Sequence, residues 1–253
     1  MIMKKWDELP EEIKNDKTKK YYDIISKKKC SLIVKRIFDI SVSLILLILL
    51  SPIFLILAIA IKIDSKGPIF YRQERITQYG NIFKIFKFRT MIKDADKKGT
   101  LVTVSNDDRI TRVGRVVRKY RLDEIPQLIN ILVGDMSFVG TRPEVKKYVD
   151  CYTDEMKATL LLPAGVTSYA SIKFKNEDEV IEKYKLVKDD IDYIYINKIL
   201  PIKMEWNIKY LKDFSLWKDI KVCAYTVLAV LNIPKKEENE KEDIIKEKES
   251  ITK

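Results

Sequence analysis

Histidine is absent from this 253-residue chain. Without imidazole there is no serine or cysteine nucleophile of the usual triad type and no zinc centre of the common kind, so any catalysis falls to carboxylates, Lys, Arg, Tyr or Cys. Cysteine is scarce too. Cys30, Cys151 and Cys223 stand far apart and at no metal-ligand spacing, which argues against a disulfide framework and fits a reducing, cytosol-facing environment. Glycine is rationed as well: all 7 fall between Gly67 and Gly165, which places the tight turns and the expected site in the middle of the chain. Neither a Walker-type loop nor a dinucleotide fingerprint occurs, so the usual nucleotide cradles are missing.

Positive charge and one long apolar run are what the chain does have. Lys and Arg total 48 against 37 Asp and Glu, a formal charge of +11, which suits nucleic acid, anionic lipid headgroups or a phosphorylated substrate without choosing among them. The run "ISVSLILLILLSPIFLILAIAI", Ile40 to Ile61, carries no charge and has about the length needed to span a hydrocarbon layer of ~30 Å. Basic residues flank both ends: Lys27, Lys28, Lys29, Lys35 and Arg36 before, Lys62, Lys66, Arg72 and Arg75 after. A straight span would place one basic flank on the wrong side, whereas a helix that bends back at Ser51 and Pro52 keeps both on one face. Pro52 removes a backbone donor, and the Ser51 hydroxyl can serve a freed carbonyl. By periodicity and length alone, a kinked spanning helix fits equally well.

The remaining pattern predicts an α+β chain, mainly helical with a small β-hairpin. Residues 1–32 form a polar N-terminal extension, 33–64 the membrane segment, 65–233 a catalytic domain, and 234–253 a charged, disordered tail. "GPIFYRQERI" and "GNIFKIFKFRTM" alternate apolar with basic residues around a turn at Tyr79, Gly80 and Asn81, which reads as the hairpin. A helical stretch from Arg109 to Leu132 is expected to break at Gly114 and restart near Asp123. Helices follow from Asn176 to Asn207. The stretch from Glu205 to Asn232 mixes Trp206, Tyr210, Phe214 and Trp217 with lysines, fitting either an interfacial amphipathic helix or ordinary core packing.

"RKYRLDEIPQLINIL" carries the chemistry. Asp123 and Glu124 could be no more than a well-made helix start, but Arg109, Arg112, Arg115, Arg118 and Arg121 recur every three residues just before them. Arginines beside carboxylates describe an anion site in which a carboxylate either holds a divalent cation or attacks phosphorus; a salt-bridged surface is the plain alternative. "GDMSFVGTRPEV" offers Arg142 before Pro143 as a further guanidinium for phosphate.

These motifs, together with "KRIFD", "SP" at the centre of the apolar run, "GPIFYRQER", "FKIFKFRTM" and "LLPAGVTSYAS", resemble the bacterial sugar transferases, the monotopic phosphoglycosyl transferases that start glycan assembly on polyprenol phosphate. The resemblance covers about Val34 to Asn232. It implies transfer of a sugar 1-phosphate from a UDP-sugar to polyprenol phosphate with release of UMP. Asp123 would be the nucleophile and Glu124 the Mg²⁺ ligand. Arg142, Lys87 and Arg89 would bind phosphate, with Arg109 and Arg112 in support. Ser51 and Pro52 would be the hinge of a re-entrant helix, with interfacial helices beside it, at the cytoplasmic face of a bacterial inner membrane. Membrane lipid and other glycan-assembly enzymes are further expected partners, and nucleic acid is not. The chain departs from the family pattern at Thr77, Asp108, Thr141, Ser168 and Ser171, which bears on sugar or nucleotide preference and leaves the catalytic pair intact. A membrane-tethered basic module for anionic lipid or nucleic acid is the competing expectation.

Overall fold

A computed structural model of the chain describes residues 3–95, 107–173 and 191–230. The tail expected to be disordered, most of the polar loop after Met91 and the first half of the helical stretch after Asn176 lie outside the described residues.

The polar N-terminal extension packs. Asn15 accepts the Thr18 amide and caps helix α1 (Asp16–Ser26), which turns Tyr21 and Ile25 into a core shared with Leu9, Ile13, Leu161, Tyr210 and Phe214. The apolar run forms α2 (Lys29–Leu49) and α3 (Ser51–Asp64), bent by 61° across Leu50. The cause is local: Pro52 has no amide to donate, and the Ser51 hydroxyl donates to the Ile48 carbonyl at 2.8 Å. Among the described residues no single helix is long and apolar enough to cross a membrane; the bent pair is, by length and composition.

The polarity of α2 is inverted. Its buried face is Leu32, Lys35, Asp39 and Ser43, while Ile37, Leu44, Ile45, Ile48 and Leu49 point outward. Lys35 pairs with Asp219 at 2.6 Å, Asp39 accepts the Phe138 amide, and Arg36 donates to the Ile131 and Leu132 carbonyls. The last contact satisfies carbonyls that a helix C-terminus leaves open.

Strands β1 (Phe70–Ile76) and β2 (Ile82–Phe88) pair antiparallel, Tyr71 facing Lys87 and Arg75 facing Phe83. Their turn is at Gln78–Gly80, as the alternation predicts. Helix α4 (Arg112–Lys119) follows, and Gly114 does not interrupt it. Gly114 is instead a contact residue: a Cβ there would lie 2.0 Å from the Thr90 carbonyl oxygen. The real break is Arg121, in the left-handed region at φ 56°. Nor does a helix start at Asp123. A 3₁₀ turn spans Leu122–Glu124, and α5 (Gln127–Val133) begins after Pro126. The pre-set φ of proline accounts for the displacement, because it favours the entry position of a helix.

Strand β3 (Met136–Val139) then pairs in parallel with β4 (Ala164–Thr167), a second sheet that the sequence pattern did not predict. Short helix α6 (Lys146–Val149) lies between these strands, and α7 (Tyr169–Lys173), α8 (Ile191–Ile194), α9 (Leu200–Lys212) and α10 (Leu216–Val230) follow. A π-helical turn, Tyr195–Ile199, joins α8 to α9. Trp217, Ile220 and Val227 on α10 are exposed, whereas Tyr210 of α9 and Phe214 of the turn after it are buried in the core.

Candidate active site

Three elements converge on the acidic pair. The 3₁₀ turn that the left-handed Arg121 sets off presents Asp123 and Glu124, the end of β2 brings Lys87, and the loop after β3 brings Arg142. Lys87 Nζ lies 3.1 Å from Glu124 Oε1, and Arg142 Nη2 lies 2.7 Å from the same oxygen. Burial pushes the Glu124 carboxyl up, but the Arg142 guanidinium and the Lys87 ammonium more than reverse this and hold it well below the usual carboxylate range.

Asp123 behaves oppositely. Burial raises its pKa and the charge of Glu124 raises it further, with Lys87 and Arg118 pulling the other way. Its Oδ1 is buried without a hydrogen-bond partner. Two adjacent carboxyl groups, one paired with two cations and one with an orphaned oxygen, form the acidic centre of this cluster. No helix starts at Asp123, so its ionised form is supported by Lys87, Arg118 and a hydrogen bond from its own backbone.

The arginine series disperses. Arg118 turns inward from α4, donates to Thr90 Oγ1 at 2.9 Å and faces Asp123. Arg109 is committed to Asp107 at 2.6 Å and to the Ala95 carbonyl. Arg112 stands on the exposed side of α4 near Asp64. Arg89 is buried and donates to Ser65 and Lys66, stitching the exit of α3 to β2. Of the sequence-selected groups, then, Asp123, Glu124, Lys87 and Arg142 come together; Arg89, Arg109 and Arg112 make their contacts elsewhere.

Two groups were passed over in the sequence. Arg118 was one of five alike, and only helix phase separates it from its neighbours. Arg75 is on the same face of the hairpin as Lys87, donates to the Pro143 carbonyl at 3.1 Å, and adds positive potential beside Arg142. The strand alternation of "YRQER" against "KIFKF" holds that signal. Glu144 anchors the Arg142 loop from behind, accepting from Tyr195 at 2.6 Å with Lys203 at 3.6 Å. Three of the departures from the family pattern make structural contacts: Thr77 Oγ1 links the Asp135 carbonyl to the Ala164 amide, and Ser168 bonds Ser171.

The donor set for a divalent cation is limited to two carboxylates, one of them already paired with Lys87 and Arg142. No group of three or more acidic, Cys or His side chains occurs among the described residues, so a cation here would rely on Asp123 and Glu124 plus oxygens of a bound diphosphate and water, as Mg²⁺ does.

Residues 30–233 match the family described as bacterial sugar transferase. A UDP-N-acetylgalactosamine-undecaprenyl-phosphate N-acetylgalactosaminephosphotransferase of Aeromonas hydrophila is 34% identical over 201 residues, 78% of this chain and 44% of that protein. A UDP-glucose:undecaprenyl-phosphate glucose-1-phosphate transferase of Caulobacter vibrioides is 35% identical over 78% of this chain and 69% of its own. An uncharacterized sugar transferase of Bacillus subtilis is 32% identical over 79% of this chain and 88% of its own. The chain thus spans less than half the length of the Aeromonas relative.

Proposed function

Because the chain belongs to the bacterial sugar transferase family, we propose that it moves a sugar 1-phosphate from a UDP-sugar to undecaprenyl phosphate and releases UMP. The observation that carries the reading is the Asp123–Glu124 pair with its orphaned nucleophile oxygen and its surrounding cations. The relatives' names supply two different sugars on one acceptor, so they support the acceptor more strongly than the sugar.

In the first step an Asp123 carboxylate oxygen attacks the β-phosphorus and the bond to the bridging oxygen breaks. UMP departs with that electron pair, leaving the phosphosugar as an acyl phosphate on Asp123. In the second step an oxygen of the acceptor phosphate attacks the same phosphorus and returns the carboxylate. No general base is required, because nucleophile and acceptor are both anions, and the missing histidines cost the mechanism nothing. Lys87, Arg118 and Arg142 hold and neutralise the diphosphate, replacing water with fixed donors. Mg²⁺, held by Glu124 with Asp123 adjacent, would supply charge neutralisation of the leaving phosphate.

The outward apolar face of the bent pair sits in the membrane as a re-entrant hairpin, with both basic flanks and the catalytic domain on the cytoplasmic side. A soluble sugar nucleotide and a lipid-borne phosphate then meet at one surface. The bend and the inverted polarity of α2 support this, since a membrane would cover what the protein leaves uncovered. UMP release from membranes given polyprenol phosphate and a panel of UDP-sugars tests the chemistry; no release with any sugar overturns it. Labelling of single cysteines at positions 27 and 66 tests the topology, and opposite sidedness would mean a span.

A further inference from the structure

The site uses only part of the arginine series. With Arg118 turned inward and Arg109 bound to Asp107, the outer side of α4 keeps Arg112, Arg115 and Lys119 exposed, and Arg121 is exposed just beyond it. Positions three and four apart share a helix face, so Val116, 56% exposed, and Tyr120, 54% exposed, lie among those cations. No acidic residue occurs between Ile110 and Leu122. The helix is seated on the apolar pair. The Val113 amide donates to Asp64 at the end of α3 at 2.9 Å, and Val113, Val117 and Leu122 pack with Phe54, Leu57 and Ile61 of α3. One residue before Asp64, Ile63 is 82% exposed.

We propose that this face of α4 binds the phosphate headgroups of anionic phospholipids in the leaflet that holds the apolar pair, an inference that rests on the membrane reading above. Guanidinium forks match phosphate oxygens, and an amphipathic basic helix gains from anionic lipid about 1 kcal/mol per Lys or Arg, roughly fivefold in affinity. Val116 and Tyr120 suit the boundary between headgroups and acyl chains, where an aromatic ring with one polar end is favoured. A purely electrostatic grip on nucleic acid would not place exposed apolar groups among the cations beside an uncovered apolar helix. The consequence is functional. A surface that collects anionic lipid next to Asp123 presses the mouth of the site against the headgroup layer, where a lipid phosphate acceptor travels.

The test uses the full chain reconstituted into bilayer discs without polyprenol phosphate. Fluorescence of a Tyr120→Trp variant, taken as the difference from the parent protein, is quenched by brominated phosphatidylglycerol or by brominated phosphatidylcholine at equal mole fraction. The expectation is quenching about threefold or more greater with phosphatidylglycerol, weakened by salt and brought to parity by adding Arg115→Gln and Lys119→Gln. Equal quenching by the two lipids, or none, overturns the inference, as does loss of the difference on adding a short DNA duplex, which would assign the face to nucleic acid. An Ile56→Trp variant separates the two failures. Its quenching by either lipid keeps the membrane reading while this inference falls alone; its silence removes both.

Discussion

Two clusters of buried charge, built from the same residue types, are used in opposite ways. Between α2, α9 and α10, Lys35 meets Asp219, with side chains only 3% and 7% exposed, while Tyr210 donates to the second Asp219 oxygen. Here one cation takes Asp219, Asp39 lies close enough for its charge to be felt at Asp219, and the cluster joins secondary structure. At the 3₁₀ turn, Lys87 and Arg142 both take Glu124 while the adjacent Asp123 keeps an unpartnered oxygen. Each cluster keeps one buried carboxylate oxygen without a hydrogen-bond partner, Asp39 Oδ2 in the first and Asp123 Oδ1 in the second. What differs is that the first closes a single ion pair between helices, whereas the second gathers two cations on one acid beside the unpartnered one. Substituting each should therefore damage different quantities.

The largest effect is expected from Asp123→Asn. On the proposed mechanism turnover should fall by about 10⁴-fold or more, since loss of a covalent nucleophile removes the path rather than slowing it, and no labelled phosphosugar should be captured on the protein. Its folding midpoint should stay within about 1 kcal/mol of the parent or rise, because the substitution removes a carboxylate whose buried charge is unfavourable. Lys35→Met reverses that pattern. Leaving Asp219 beside Asp39 without its cation should cost about 3–5 kcal/mol in a denaturant titration, with activity per folded molecule retained. Retention of stability would mean that the pair is not what joins α2 to α10.

Glu124→Gln comes next, with an expected loss of about 10²-fold in kcat and a weaker Mg²⁺ response, read from a metal titration. A normal titration curve would remove Glu124 from the metal site. The smallest effect is on pH. A raised Asp123 is protonated at a higher pH than an ordinary aspartate, so kcat/KM should be full above its folded pKa and fall as pH drops through it, with a midpoint above about 3.9. In Glu124→Gln the neighbouring negative charge is gone, and the midpoint of the residual activity should move down. An unmoved midpoint would mean that another group sets the limb.

The acidic pair, the hairpin and the bent apolar run were legible because each is written in local pattern: adjacent carboxylates, period-two alternation around Tyr79 and Gly80, and Pro52 in an uncharged stretch. The parallel pairing of β3 with β4 was not, because "MSFV" and "AGVT" are four-residue segments whose partnership depends on a contact between distant parts of the chain. Gly114 misled for a related reason. Its lack of a side chain meets a steric need of β2's exit rather than a local need to break a helix.

By itself the sequence determined the chemical inventory. With no histidine, an Asp-Glu pair and an excess of arginine, it supplied carboxylates beside cations, and the charge-free run with its proline determined that a helix would bend. Tertiary structure decided which cations serve which acid. Five arginines spaced by three residues wind around the chain axis, and only the seating of α4 against α3 and Thr90 turns Arg118 toward Asp123 and Arg112 outward. That allocation depends on packing over distances that residue spacing does not encode.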